Sequence, residues 1–269
     1  MSRFLATMAE RSAARAADLA RLRPLGEMRE AALSAPPPRP LGGFGELFDV
    51  IAEIKPRSPA EGAFVERAST EQGESYQMGG ARMISVLTEP SEFGGSVGMV
   101  RAVSSVVTVP VMAKDFLTDP IQVYQAREAG ADGVLVISRI LDDPAMAAIL
   151  DAAADCECFA LLEAFDRADL ARVSQVVSAR PNTLVGVNCR DLDTLQVVPE
   201  RHIDLADGLP EEPVAVAESA IGGPNDVERV AALGYRAVLV GSALMRTERP
   251  DVLVADLIEA GRRVAAMAS

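Results

Sequence analysis

Short apolar runs and helical stretches alternate eight times along this chain, and few folds accept that rhythm. The apolar runs lie near residues 49–55, 82–87, 109–114, 133–138, 159–163, 184–188, 214–218 and 237–240. The helical stretches fall near 70–80, 96–105, 120–129, 142–154, 166–178, 200–206, 224–233 and 250–267. Their boundaries carry the expected signals. Asp119-Pro120, Asp143-Pro144 and Gly223-Pro224 supply caps and first-turn prolines, and Gly130 and Gly234 stand just before the next strands. Repeated strand–helix units predict a parallel sheet with right-handed crossovers. An open doubly wound sheet is one way to arrange such units, but eight of them predict a closed (β/α)8 barrel, the TIM barrel, within an α/β class.

Composition agrees. The chain has 269 residues, close to the roughly 250 that such a barrel takes, and it has no Trp. Its core must be Ala, Val, Leu and Ile, which suits buried parallel strands. We read residues 1–269 as a single barrel domain in which residues 1–47 form an N-terminal helical extension. Within it, Phe4, Leu5, Met8, Ala16, Leu19 and Leu22 follow helical spacing, with Ser12 as a polar gap in the stripe. A second short helix is expected over 26–33, and the proline-rich run at 35–40 is a stiff connector.

A net charge of −13 argues against nucleic acid and anionic membrane surfaces as partners. No apolar run reaches the roughly 18 residues needed to span a membrane, and no signal peptide is legible. A cytoplasmic protein, monomeric or weakly self-associating, is expected. Cys156, Cys158 and Cys189 are too few and ill-spaced for a disulfide framework, and with one histidine in the chain they predict no metal site.

In such barrels the chemistry sits at the C-terminal ends of the strands. The first strand ends Glu53-Ile-Lys55, so a carboxylate and an ammonium project to the same side. Pro56 stops the strand, and the stretch from Arg57 to Gly62 reads as a loop. The next ends bring Thr88-Glu89 with Phe93 beyond, Lys114-Asp115-Phe116, Ser138, Glu163, Asn188-Cys189-Arg190, Glu218-Ser219-Ala220 and Gly241-Ser242. Buried charges are costly unless paired or used. So many at matching strand ends predict an active site. The last two ends, with Gly222-Gly223 and a short helical stretch over 243–245, suit a phosphate group. No dinucleotide fingerprint or phosphate-loop NTPase motif is present.

These residues resemble the indole-3-glycerol-phosphate synthase family of tryptophan biosynthesis. The resemblance is carried by Ala52-Glu-Ile-Lys with Ser58-Pro59, Ile84-Ser-Val-Leu-Thr88, Lys114-Asp-Phe116, Gly130-Ala-Asp132, Asn188-x-Arg190-Asp-Leu192 and Glu218-Ser219. It implies a cofactor-free lyase that closes a ring with loss of carbon dioxide and water, acting on 1-(2-carboxyphenylamino)-1-deoxyribulose 5-phosphate. Lys114 takes the general-acid role by this resemblance. Glu53, Lys55 and Glu163 share the remaining acid and base work, with Glu163 the favoured base. Asn188 and Glu218 orient the ring and hydroxyl groups, and Arg190 supports the site. The phosphate falls to Ser58, Ser219, Gly241 and Ser242, with the backbone of Ala220 alongside. Phe93, Phe116, Leu135 and Leu192 wall the aromatic ring. The N-terminal helix is implied to pack over the barrel mouth.

Three departures from the family pattern stand out: Ala220 stands for Gly, Ala217 for Ser, and the pair Ala164-Phe165 for Val-His or a similar pair. At Ala220 the loop is expected to keep negative φ, with Gly222 and Gly223 absorbing any strain. Two other readings are weighed. Phosphoribosylanthranilate isomerase, another phosphate-binding barrel enzyme, relies on a Cys near the first strand end, where Glu53-Ile-Lys55 stands. A non-catalytic barrel subunit would have no use for so many buried charges.

Overall fold

The computed structural model describes residues 3–64, 67–191 and 194–268. Two helices come first, α1 (Arg3–Leu22) and α2 (Leu25–Ser34). Strand β1 (Asp49–Ile54) leads to a two-stranded hairpin of β2 (Arg57–Ser58) and β3 (Gly62–Ala63), a stretch expected to be plain loop. Then follow α3 (Ser69–Met78), β4 (Met83–Leu87), α4 (Val97–Ser104), β5 (Val111–Lys114), α5 (Pro120–Glu128) and β6 (Gly133–Ile137). After these come α6 (Asp143–Asp155), β7 (Phe159–Ala164), α7 (Arg167–Val177), β8 (Thr183–Asn188) and α8 (Glu200–Asp204). The chain closes with β9 (Ala215–Glu218), α9 (Pro224–Ala232), β10 (Ala237–Val240), α10 (Ser242–Arg246) and α11 (Pro250–Ala268). Eight parallel strands form a closed barrel in the order β1-β10-β9-β8-β7-β6-β5-β4, and β1 pairs with both β10 and β4.

Period-two alternation decides which side chains face which core. Val50, Ala52 and Ile54 of β1 join the apolar layer between barrel and helices, whereas Ile51 joins the cluster inside the barrel. Met83, Met112, Leu135, Leu161, Leu184, Val216 and Leu239 fill the same interior. These side chains fill the interior below the strand ends, and the cavity lined by the polar strand-end residues lies above them. Asp119 caps α5 in a capping box with Gln122, and α6 has the expected first-turn Pro144 but is capped by Asp142, one residue before the expected Asp143, through the Ala145 N–H.

Helix α1 lies across the mouth. Leu5 and Met8 are buried in the cluster that also holds Phe116 and Phe165, and the Phe4 ring meets Phe116 edge-on at 6.2 Å. Its stripe differs from the expected one. Ser12 is fully buried and accepts a hydrogen bond from Gln122 Nε2 at 2.8 Å, so it continues the stripe, while Leu22 is 85% exposed. Among the described residues, no helix is long and apolar enough to cross a membrane.

Candidate active site

Three strand ends set the centre of the site. Glu53 extends from β1 into the barrel, where Lys114 Nζ of β5 donates to its Oε2 at 2.8 Å and Lys55 Nζ lies 3.3 Å from its Oε1. Lys114 also faces Glu218 of β9 at 3.8 Å. Opposite, Asn188 Nδ2 of β8 donates to Glu163 Oε1 of β7 at 2.5 Å. The Asn188 side-chain oxygen accepts from the Ser219 hydroxyl at 2.9 Å and from the Arg190 N–H at 2.8 Å. Glu53, Lys55, Lys114 and Asn188 are each held by at least two partners, which fixes their orientation before a ligand arrives.

Two glycines make room for the carboxylates. A Cβ at Gly186 would stand 2.1 Å from Glu218 Oε1, and one at Gly241 would stand 2.3 Å from Glu53 Oε1. Gly241 was expected at the phosphate; its bare Cα also clears space for Glu53.

The charges divide the lysines and the glutamates into unlike pairs. Burial alone would raise the Glu53 pKa, but Lys114 and Lys55 overcome it and hold the carboxyl at about 2. Burial likewise opposes the charge on Lys114, yet Glu53, Glu218 and Glu163 together raise its pKa above the ordinary lysine value. Lys55 goes the other way: burial, helped by Lys114 and Arg190, outweighs Glu53 and lowers it. Glu163 is raised by burial against the pull of Lys114 and Asn188. Glu218 is raised further, by burial and by the charge of Glu163, and neither of its oxygens makes a hydrogen bond of good geometry. The site thus offers one firm ammonium, one labile ammonium, one firm carboxylate and two carboxyls that readily carry a proton.

These groups line a cavity of about 280 Å³, together with Ser58, Phe93, Phe116, Leu135, Arg190, Ser219, Ala220, Gly241 and Ser242. Phe93 and Phe116 stand 6.1 Å apart, and Leu135 is buried in the cluster that holds Phe116 and against which Phe93 packs. Leu192 lies outside the described residues. Ala217 and Ala164 point away from the cavity into the outer apolar layer, so these two departures leave the cavity lining unchanged. Phe165 stacks under Arg139 at 5.0 Å.

The Ala220 expectation is corrected. Ser219 has φ 63° and Ala220 has φ 56°, so both non-glycine residues are left-handed. Gly223, expected to absorb strain, is extended at φ −174°. The turn out of β9 needs the left-handed bend directly at the strand end, one residue after Glu218, and the glycines come too late to supply it.

Sequence reasoning missed two supports. Glu89, fully buried, gathers the N–H groups of Ser91 at 2.9 Å, Glu92 at 2.7 Å and Phe93 at 3.1 Å, and so sets the loop that carries Phe93. Arg201 of α8 donates to the backbone carbonyls of Asn188 at 2.7 Å and Arg190 at 3.2 Å. A carboxylate just past a strand end was a usable signal for the first; nothing local marked the second.

A family model for indole-3-glycerol phosphate synthase matches residues 20–257. The chain belongs to the indole-3-glycerol phosphate synthase family. Curated relatives of that name include one from Kineococcus radiotolerans, 43% identical over 81% of this chain and 79% of its own length. Others are from Saccharopolyspora erythraea, 38% identical over 88% of both chains, and Mycolicibacterium smegmatis, 39% identical over 88% of this chain and 87% of its own. Among solved structures, 3-hexulose-6-phosphate synthase from Salmonella typhimurium superposes with a TM-score of 0.63 over 80% of this chain and 99% of its own, at 17% identity. That likeness speaks for the barrel alone. The family match covers every barrel strand and begins within α1, so most of that helix precedes it.

Proposed function

We propose that the chain is an indole-3-glycerol-phosphate synthase, converting 1-(2-carboxyphenylamino)-1-deoxyribulose 5-phosphate to indole-3-glycerol phosphate, carbon dioxide and water. The observation that carries the reading is the linked set Lys55–Glu53–Lys114–Glu218 facing Glu163–Asn188 inside one cavity of a family member.

The reaction joins the ring carbon that bears the carboxylate to the ketone carbon. The ketone oxygen must gain a proton as that bond forms. Lys114, held charged by its carboxylate neighbours, is suited to donate a hydrogen bond to that oxygen and to deliver the proton. The bond to the carboxyl carbon then breaks, carbon dioxide leaves, and its electron pair restores the aromatic ring. The new hydroxyl departs as water after protonation, and the neighbouring methylene carbon loses a proton to complete the indole. Lys55, whose lowered pKa makes it the readier acid, suits the hydroxyl. Glu163, raised and held by Asn188, suits the final proton. Glu218 is suited to orient hydroxyl groups, and Phe93, Phe116 and Leu135 to flank the ring. Ser58, Ser219, Gly241 and Ser242 would take the phosphate.

The test is direct. Purified protein mixed with the carboxyphenylamino substrate should produce indole fluorescence, against a background free of Trp. No signal at micromolar enzyme would sink the reading.

A further inference from the structure

On the phosphate side of the cavity stands a contact outside the expected site. The turn between β2 and β3 carries Glu61 across to α10. There the Ser242 hydroxyl donates to Glu61 Oε1 at 2.7 Å, and the Arg246 guanidinium pairs closely with Glu61 Oε2. Lys55 Nζ donates to the same Ser242 oxygen at 3.1 Å. Ser242 has one proton to give, and Glu61 takes it. A phosphate cannot use that hydroxyl as a donor while Glu61 is in place. The Arg246 side chain is 63% exposed, so its guanidinium can turn without unpacking anything.

We infer that Glu61 is an internal anion seated where the substrate phosphate binds, and that Arg246 passes from Glu61 to the phosphate on arrival. The inference rests on the reading of Ser242 as a phosphate residue. A phosphate dianion carries more charge than one carboxylate and offers more acceptor oxygens to Lys55, Ser242 and Arg246. Two anions cannot share the seat, so Glu61 and the hairpin that carries it swing out as the phosphate enters. A ligand without phosphate has nothing with which to displace Glu61. The contact therefore selects phosphorylated substrate, at the expense of affinity in proportion to the fraction of molecules whose seat is filled.

The experiment uses the full chain in three forms: wild type, Glu61→Gln and the double variant Glu61→Gln/Arg246→Met. Inorganic phosphate is titrated into each by calorimetry, and turnover of the carboxyphenylamino substrate is measured alongside. Glu61→Gln should tighten phosphate binding at least about threefold and lower KM with little change in kcat. Adding Arg246→Met should then weaken phosphate at least about fivefold. Unchanged or weaker binding in Glu61→Gln overturns the role of Glu61, as does undetectable phosphate binding in all three proteins. No further effect of Arg246→Met overturns its role as a phosphate ligand and leaves it only a partner of Glu61. Shifted phosphate binding without turnover in any form removes the proposed reaction and keeps this contact. Turnover with unshifted phosphate binding does the reverse.

Discussion

Lys114 stands between Glu53 and Glu218, and that environment keeps its ammonium charged. Lys114→Ala should lose at least about a hundredfold in turnover, the usual scale for a general acid–base group. Lys114→Arg should recover little, because a guanidinium keeps its proton and its planar fork does not fit the gap a compact ammonium fills. Near-normal turnover in the alanine variant would remove Lys114 from the acid role. The pair Glu53 and Lys55 was legible because two charges spaced by one residue break an apolar strand. The backbone at Ala220 was not legible, because a side chain's identity does not report the bend its neighbours impose. With φ at 56°, Ala220 is held in the left-handed region that L-residues resist by roughly 1–2 kcal/mol. Ala220→Gly should therefore raise stability by about 1 kcal/mol, or roughly 2–4 °C in Tm. It should change kcat/KM by less than about fivefold, since the bend itself is already formed. Thermal melts and steady-state kinetics on the two proteins check both halves. A gain in kcat/KM well above tenfold would mean that the methyl group displaces the phosphate.

The barrel strands and the helices between them came through in sequence because periodicity and caps are local signals. The strands begin and end within two residues of where the apolar runs placed them. What periodicity does not carry is which polar side chain is buried by a distant partner. Ser12 reads as a gap and is in fact sealed under α1 by Gln122, and the short hairpin at 57–63 has no pattern of its own. The N-terminal helices divide into two parts on the same grounds. Helix α1 puts Leu5, Met8 and Phe4 on the site cluster. Helix α2 instead buries Met28 and Ala32 in the outer core, and Arg39 beyond it pairs with buried Asp132 at 2.9 Å. Deleting residues 1–22 should keep a cooperative melt but raise KM, since the roof over the aromatic wall is gone. Deleting 1–40 should also lower the melting temperature, because Asp132 loses its cation and the outer core loses two side chains. Equal melting of the two truncations would contradict this division.

Across the whole molecule, acid stability depends on groups that pull in opposite directions. Glu163 and Glu218 have raised pKa values, so protonating them favours the folded state as pH falls. Glu53, held at about 2, acts oppositely: its contribution is complete above the ordinary carboxylate value and is lost as pH falls through about 2. Between these stands His202, the only histidine, fully buried on α8 with its ring edge-on to Tyr235 at 5.2 Å. Burial is the main reason its pKa falls to about 4; the nearby carbonyls of Val187 and Glu218 offset this only in part, and Arg229 and Arg201 add to it. Neither ring nitrogen makes a hydrogen bond of good geometry. A folded-state value of about 4 against an ordinary 6.5 means that the unfolded chain takes up the proton first. The stability linked to His202 is therefore complete above 6.5 and drains away as pH falls towards 4, by roughly 3 kcal/mol in all. His202→Phe keeps an aromatic ring against Tyr235 and has no proton to take up. The difference in unfolding free energy between the two proteins, measured in urea, should be small near pH 7 and should grow to about 3 kcal/mol in favour of the variant near pH 4. Because the glutamates titrate alike in both proteins, their contributions cancel in that difference. A difference that stays flat across the range would show that His202 keeps its ordinary pKa, and that the fold admits water or a partner to its ring.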